Sequence, residues 1–203
     1  MTAALNAPGG RANQKARTRA AILESCGELV RSGAEVSMPE VAARAMVSEA
    51  TAYRYFPDLI SLLQEALAGL WPTAERALAP VADSRDPVER VTFACQYLLR
   101  GVHAYQGGVR AMISHTITAP AEARTRPGIR FGLIDYALAP FAAPGSPGGL
   151  VPSAMTRLKQ DLAVVVSAEA FFVLTDLCGL APDDAIGSAT RTAATLTRVA
   201  FGD

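Results

Sequence analysis

The stretch that most constrains this chain is residues 37–56, SMPEVAARAMVSEATAYRYF. It reads as two short helices joined by a tight turn. Ser37 is a natural N-cap, and Glu40 three residues later completes a capping box. Pro39 falls in the first turn, where its missing N–H costs nothing. Val41, Ala42 and Ala45 make a narrow apolar face suited to close packing. Residues 45–48 form the turn, and Ser48 caps the second helix with Glu49 at its positive end. That helix carries Thr51, Tyr53, Arg54 and Tyr55, short or polar enough to meet phosphates and base edges, and Phe56 closes the unit against the core. A pair of this form is a helix-turn-helix that can lay its second helix in the major groove of DNA.

These residues resemble the DNA-binding domain of the TetR family of bacterial transcriptional regulators. The resemblance is carried by Val41-Ala42, by Val47-Ser48 at the end of the turn, by Thr51, by Tyr53-Arg54-Tyr55-Phe56 and by the apolar helix after Asp58. Several spacings agree at once over about residues 15–70. Three positions depart from the family pattern. Met46 stands where Gly is usual in the turn, so a left-handed backbone there would be strained. Ala52 replaces a larger aliphatic residue under the second helix. Leu59 replaces a Lys that commonly meets phosphate, which removes one counterion-releasing contact.

Composition sets the class. Of 203 residues, 50% are hydrophobic and 19% charged, which argues for a folded chain. The formal net charge is zero, so bulk charge does not mark a nucleic-acid binder. Its distribution says more: residues 1–56 hold seven basic and five acidic side chains, against twelve and fourteen in the remainder. Cys26, Cys95 and Cys178 are far apart with helical, apolar neighbours, so they read as buried free thiols suited to a reducing cytoplasm. There is no apolar h-region at the start, and no apolar run approaches the roughly 18 residues a membrane span needs.

Along the chain, residues 1–14 read as a disordered tail, and Lys15, Arg17 and Arg19 as a basic run at a helix start. Such a run opposes the helix dipole, so it is either a solvated face or a phosphate contact. A first helix spans about 14–31, with Ile22, Cys26 and Leu29 on its buried stripe and Gly33 as its C-cap. A fourth helix begins after Asp58, with Leu59, Leu62, Leu63, Ala66, Leu67 and Leu70 in phase. Pro87 opens a helix to about Ala104 with Asp86 as cap. Gly107-Gly108 should break the chain, followed by helices over 109–118 and 128–138 and a polar turn at 124–127. Residues 140–152, with four Pro and three Gly, read as a loop. Ser153 then caps a long helix to about Leu177, with Glu169 inside its apolar stripe, and a last helix runs over 182–201.

The fold expected is all-α: a disordered tail over 1–14, a three-helix helix-turn-helix DNA-binding domain over 15–56, and a larger helical effector and dimerisation domain over 57–203. The resemblance implies a cytoplasmic, ligand-responsive repressor acting as a homodimer on a near-palindromic double-stranded operator. Its dimer would form through the last two helices. DNA contacts would come from Arg17, Ser37, Ser48, Glu49, Ala50, Thr51, Tyr53, Arg54 and Tyr55. A small-molecule effector would sit among Phe93, Tyr97, Met112, His115, Phe131, Asp135 and Phe171, with His115 and Asp135 the polar pair that would need partners if buried. His103 and His115 have no ligand spacing for a metal, and no G-x-S-x-G, P-loop or G-x-G-x-x-G occurs, so neither an enzyme nor a cofactor is expected. The rival reading, motivated by Met46, Ala52 and Leu59, is a helical small-molecule-binding or interaction protein that has lost DNA binding.

Overall fold

The computed structural model describes residues 8–68, 70–118, 128–142 and 148–202; side chains at 8–11, 115 and 118 lie outside that set. Every regular element in it is helical. The tail residues 1–7, the turn expected at 124–127 and the middle of the Pro/Gly loop, 143–147, lie outside the described residues.

Two compact units emerge, Met1–Trp71 with Tyr105–Arg126, and Pro72–Ala104 with Pro127–Asp203. The first holds α1 (Pro8–Arg31), α2 (Met38–Arg44), α3 (Glu49–Tyr55), α4 (Leu59–Ala68) and α7 (Gln106–Thr118). It therefore reaches beyond the 15–56 segment expected from sequence. The reason is the core: Ile60, Leu62, Leu63 and Leu67 of α4 share one apolar cluster with Ile22, Cys26, Val30, Val41, Ala42, Ala52 and Phe56. Helices α1 to α3 alone bury too little apolar area, and α4 completes their core.

Local signals account for most of the boundaries. The Asp58 carboxylate accepts from the Ser61 N–H at 2.7 Å, and that of Asp86 from the Val88 N–H at 2.7 Å. The α1 helix closes on Gly33, whose φ of +72° lets its N–H reach the Val30 carbonyl at 3.2 Å. Its start is earlier than expected, at Pro8 and not near Gln14, so residues 8–14 are helix and not tail. Proline sets a helical φ and needs no N–H partner in the first turn, which makes it a natural first residue.

Gly107-Gly108 does not break the chain but lies in the first turn of α7. A Cβ at Gly107 would sit 2.1 Å from the Ala34 carbonyl oxygen, and one at Gly108 2.9 Å from Val30 Cγ2. The pair is there so that α7 can press its backbone on the end of α1.

The second unit contains α5 (Ala74–Ala77), a 3-10 turn (Ala79–Val81), α6 (Pro87–Ala104), α8 (Ile129–Leu138), a 3-10 turn (Ala139–Phe141), α9 (Pro152–Val165), α10 (Ala168–Phe172), a π turn (Val173–Leu177) and α11 (Pro182–Phe201). The long helix expected to Leu177 is interrupted, and its cap is Val151 with Pro152 at the first position. Val166 leaves the helix with ψ of 67°, and Ser167 starts a new one. The Ser167 hydroxyl accepts from the Ala170 N–H at 3.0 Å and donates to the Val164 carbonyl at 2.8 Å. Three successive valines are weak helix formers, and the serine offers the backbone a competing partner. Glu169 consequently leaves the apolar stripe and accepts from Arg130 at 2.8 Å.

Inside this unit α6 runs along α11 and α8. Ala185, Ala189 and Ala193 of α11 are buried, which lets the helix axes approach closely. Arg90 is only 2% exposed. Its guanidinium donates to the carbonyls of Val81 at 2.6 Å, Ala82 at 2.7 Å, Tyr136 at 2.9 Å and Ala137 at 2.7 Å. These carbonyls end a 3-10 turn and α8, where backbone oxygens lack helical partners and the dipole is negative. No helix of the described residues is long and apolar enough to cross a membrane.

Candidate nucleic-acid interface

The candidate interface is α3 and its surroundings. Ser37 caps α2 by accepting from the Glu40 N–H at 3.4 Å, and its hydroxyl donates to the Glu40 carboxylate at 3.3 Å. Ser48 caps α3 by accepting from the Thr51 N–H at 3.2 Å and donates to the Thr51 hydroxyl at 2.9 Å. Both serines thus stand at helix starts. Glu40 and Glu49 lie in the first turns, where the dipole favours them.

The turn between the helices closes in a Schellman arrangement. The Val47 N–H donates to the Ala42 carbonyl at 3.0 Å and the Met46 N–H to the Ala43 carbonyl at 3.1 Å. Met46 takes the left-handed position that normally belongs to glycine, with φ of +54°, and its side chain is 92% exposed. The strain expected from sequence is therefore present.

Ala52 and Phe56 face inward, at 0% and 2% exposure, and fix the rotation of α3. Glu49, Ala50, Tyr53 and Arg54 are consequently exposed. Thr51 and Tyr55 are half-buried, the first held by Ser48 and the second packed on the core. The Arg54 guanidinium lies 5.6 Å from the Tyr55 ring centre. Lys15 and Arg17 of α1 are exposed and make no ion pair among the described residues. Gln14, Lys15, Arg54 and Tyr55 line one open cleft, so basic groups from α1 and α3 converge. Of the basic run only Arg19 turns away, to pair with Glu65. Arg44 pairs with Glu28 at 2.7 Å and ties α2 to α1. Neither pair was legible in the sequence, since the partners are 46 and 16 residues apart. Leu59 is half-buried and packs on the apolar cluster.

The residues expected to hold an effector are divided between the two units. Met112 belongs to the first unit and packs on its core. The His115 side chain lies outside the described residues. In the second unit Phe93 and Tyr97 are half-buried and Phe171 is buried, its ring 5.9 Å from that of His103. Phe131 is 55% exposed, and Asp135 pairs at the surface with Lys159 at 2.7 Å. The buried face of α8 is Leu133, Ile134, Ala137 and Leu138, which turns Phe131 and Asp135 outward. Among the described residues of this unit the buried charge is Arg90 and not Asp135. Among the cysteines, burial pushes the Cys26 thiol up to about 12 and the Cys95 thiol to about 11, whereas Cys178 is exposed, contrary to expectation. The π turn ahead of Cys178 carries that residue out of the apolar stripe.

Residues 29–66 match the family model described as bacterial regulatory proteins, tetR family. The fold is similar to the crystal structure of a TetR transcriptional regulator from Rhodococcus sp. RHA1. That likeness has a TM-score of 0.56 at 24% identity over 90% of this chain and 97% of the other. No curated protein matches the sequence.

Proposed function

We propose that this chain, a TetR-family member by its N-terminal domain, is a ligand-responsive transcriptional repressor that binds a near-palindromic operator as a homodimer. The observation that carries the reading is the outward face of α3. Glu49, Ala50, Tyr53 and Arg54 are exposed on a capped helix whose other side is locked by Ala52 and Phe56. Tyr53 and Arg54 then meet base edges and phosphates, and Lys15 and Arg17 meet the backbone. Ser37 and Ser48 stand at helix starts, where N–H groups and hydroxyls suit phosphate oxygens.

A dimer is supported by the surface of α9 and α11. An open groove between them is lined by Ala154, Leu158, Leu196 and Ala200, with Val199 exposed beside it. Arg157 and Asp161, one turn apart in the same groove, make no ion pair among the described residues. A two-fold axis would set each against its opposite in a second copy, and two half-sites need two reading heads. The effector is a small molecule held in the second unit, where Phe93 and Tyr97 are half-buried aromatics. It acts by favouring a dimer with its heads wrongly spaced for DNA.

The test is fluorescence anisotropy of the purified protein on duplex from its own upstream region at three salt concentrations. Tight, selective binding with a steep salt slope is expected. Absence of selective binding there and on a genomic operator selection would favour the second reading, a small-molecule-binding protein without DNA function. The strained Met46 and the half-buried Leu59 favour that reading.

A further inference from the structure

Arg19 sits in the basic run of α1 but does not point outward like Lys15 and Arg17. Its two terminal nitrogens donate to the two carboxylate oxygens of Glu65 on α4. Its Cζ lies 4.8 Å from the centre of the Phe56 ring. Phe56 ends α3: its N–H donates to the Ala52 carbonyl at 2.9 Å, and its side chain is buried. One guanidinium therefore joins α1, the end of α3 and α4. The pairing lowers the Glu65 carboxyl below its ordinary range and raises Arg19, chiefly through the hydrogen bonds between them.

Both side chains are about two-fifths exposed, at 42% and 43%. Coulomb attraction at such exposure is modest, so stability is not the main consequence. Geometry is. A planar fork on a carboxylate and a flat face on an aromatic ring fix the guanidinium in two directions at once, which a lysine ammonium cannot do. The same engagement commits the paired terminal N–H fork of Arg19 to Glu65, so a phosphate would meet only the remaining N–H groups.

We propose that the Arg19–Glu65 pair is a latch that sets the position of the recognition helix through Phe56, which makes Arg19 a positioning residue and not a phosphate contact. This inference rests on the DNA-binding reading for its consequence, although the latch itself belongs to the free protein.

Glu65→Gln tests it because the alternatives differ in sign. Neutralising Glu65 loosens Arg19 and raises the net charge of the unit by one. If Arg19 serves phosphate, operator binding tightens and the salt slope steepens by about one counterion. The latch requires weaker operator binding, by about fivefold as for an exposed pair at the top of its range, with the slope unchanged. Arg19→Lys keeps the charge and loses the fork and flat face, so it should weaken binding similarly. In the free protein, amide exchange at Phe56 should be faster in both variants than in the parent chain. Tighter binding with a steeper slope overturns the proposal, as does unchanged exchange at Phe56 in both variants. If the parent chain selects no duplex, the DNA-binding reading fails by itself, and the exchange measurement still decides the latch.

Discussion

In the N-terminal unit the ion pairs Arg19–Glu65 and Arg44–Glu28 lie at the surface, over a core of apolar side chains. In the C-terminal unit Arg90 is buried and its donors go to four backbone carbonyls. The first arrangement orients short helices without burying charge. The second takes a charge out of water and compensates it with the negative ends of helical segments. The two units thus solve different problems. A reading head must keep polar side chains outside and still be rigid. A larger helical body can use a buried guanidinium to gather the carbonyl ends of chain segments whose apolar side chains, such as Val81 and Ala137, share its core.

The largest effect that would break this contrast is at Arg90. Arg90→Met should destabilise the protein by about 3–5 kcal/mol, because four carbonyls lose their donors in the interior. Urea unfolding followed by circular dichroism measures it. A loss under about 1 kcal/mol would mean that water replaces the guanidinium and that the site is not sealed.

Arg54→Ala should weaken operator binding by about 1–3 kcal/mol while the melting temperature and oligomeric state stay as they were. Unchanged affinity would remove Arg54 from the interface and leave the outward face of α3 without its charged contact.

Met46→Gly should stabilise the fold by roughly 0.5–1 kcal/mol, since glycine accepts the left-handed backbone at the turn but gains freedom when unfolded. A destabilised Met46→Gly variant would show that the exposed side chain contributes more than the strain it imposes.

The smallest effect concerns the thiols. Burial raises Cys26 to about 12 and Cys95 to about 11. The protonated form is favoured in the folded state, so this contribution is complete below the unfolded thiol's pKa of about 8.5 and declines as pH rises above it. Stability should fall progressively above that pH. A thiol reagent at pH 8 should label Cys178 in the native protein and spare the other two. Rapid labelling of all three would show that the two helices carrying Cys26 and Cys95 open readily.

Much of the first unit was legible because its determinants are local. Ser37, Ser48 and Asp58 were recognisable as caps within three residues of the N–H groups they accept from, as was Asp86 in the second unit, and Ala52 and Phe56 were in phase with the core. Gly107-Gly108 was misread as a break, since close approach to Ala34 depends on a neighbour far away in sequence. The continuous helix through Ser167 was misread for a different reason: the apolar period persisted, while the cap that interrupts it competed with the same backbone. Phe131 and Asp135 face outward because packing decides helix rotation, and α8 buries Leu133, Ile134, Ala137 and Leu138 instead.

By itself, the sequence determined the helix-turn-helix, its caps and turn, the all-helical class and the buried stripes of α1 and α6, all of which depend on residues within one or two helical turns. Tertiary structure alone decided that α4 and α7 belong to the reading unit, that Arg19 is held by Glu65 and that Arg90 is the buried charge. Each of these joins residues distant along the chain, and only the closing of the core determines which of them meet.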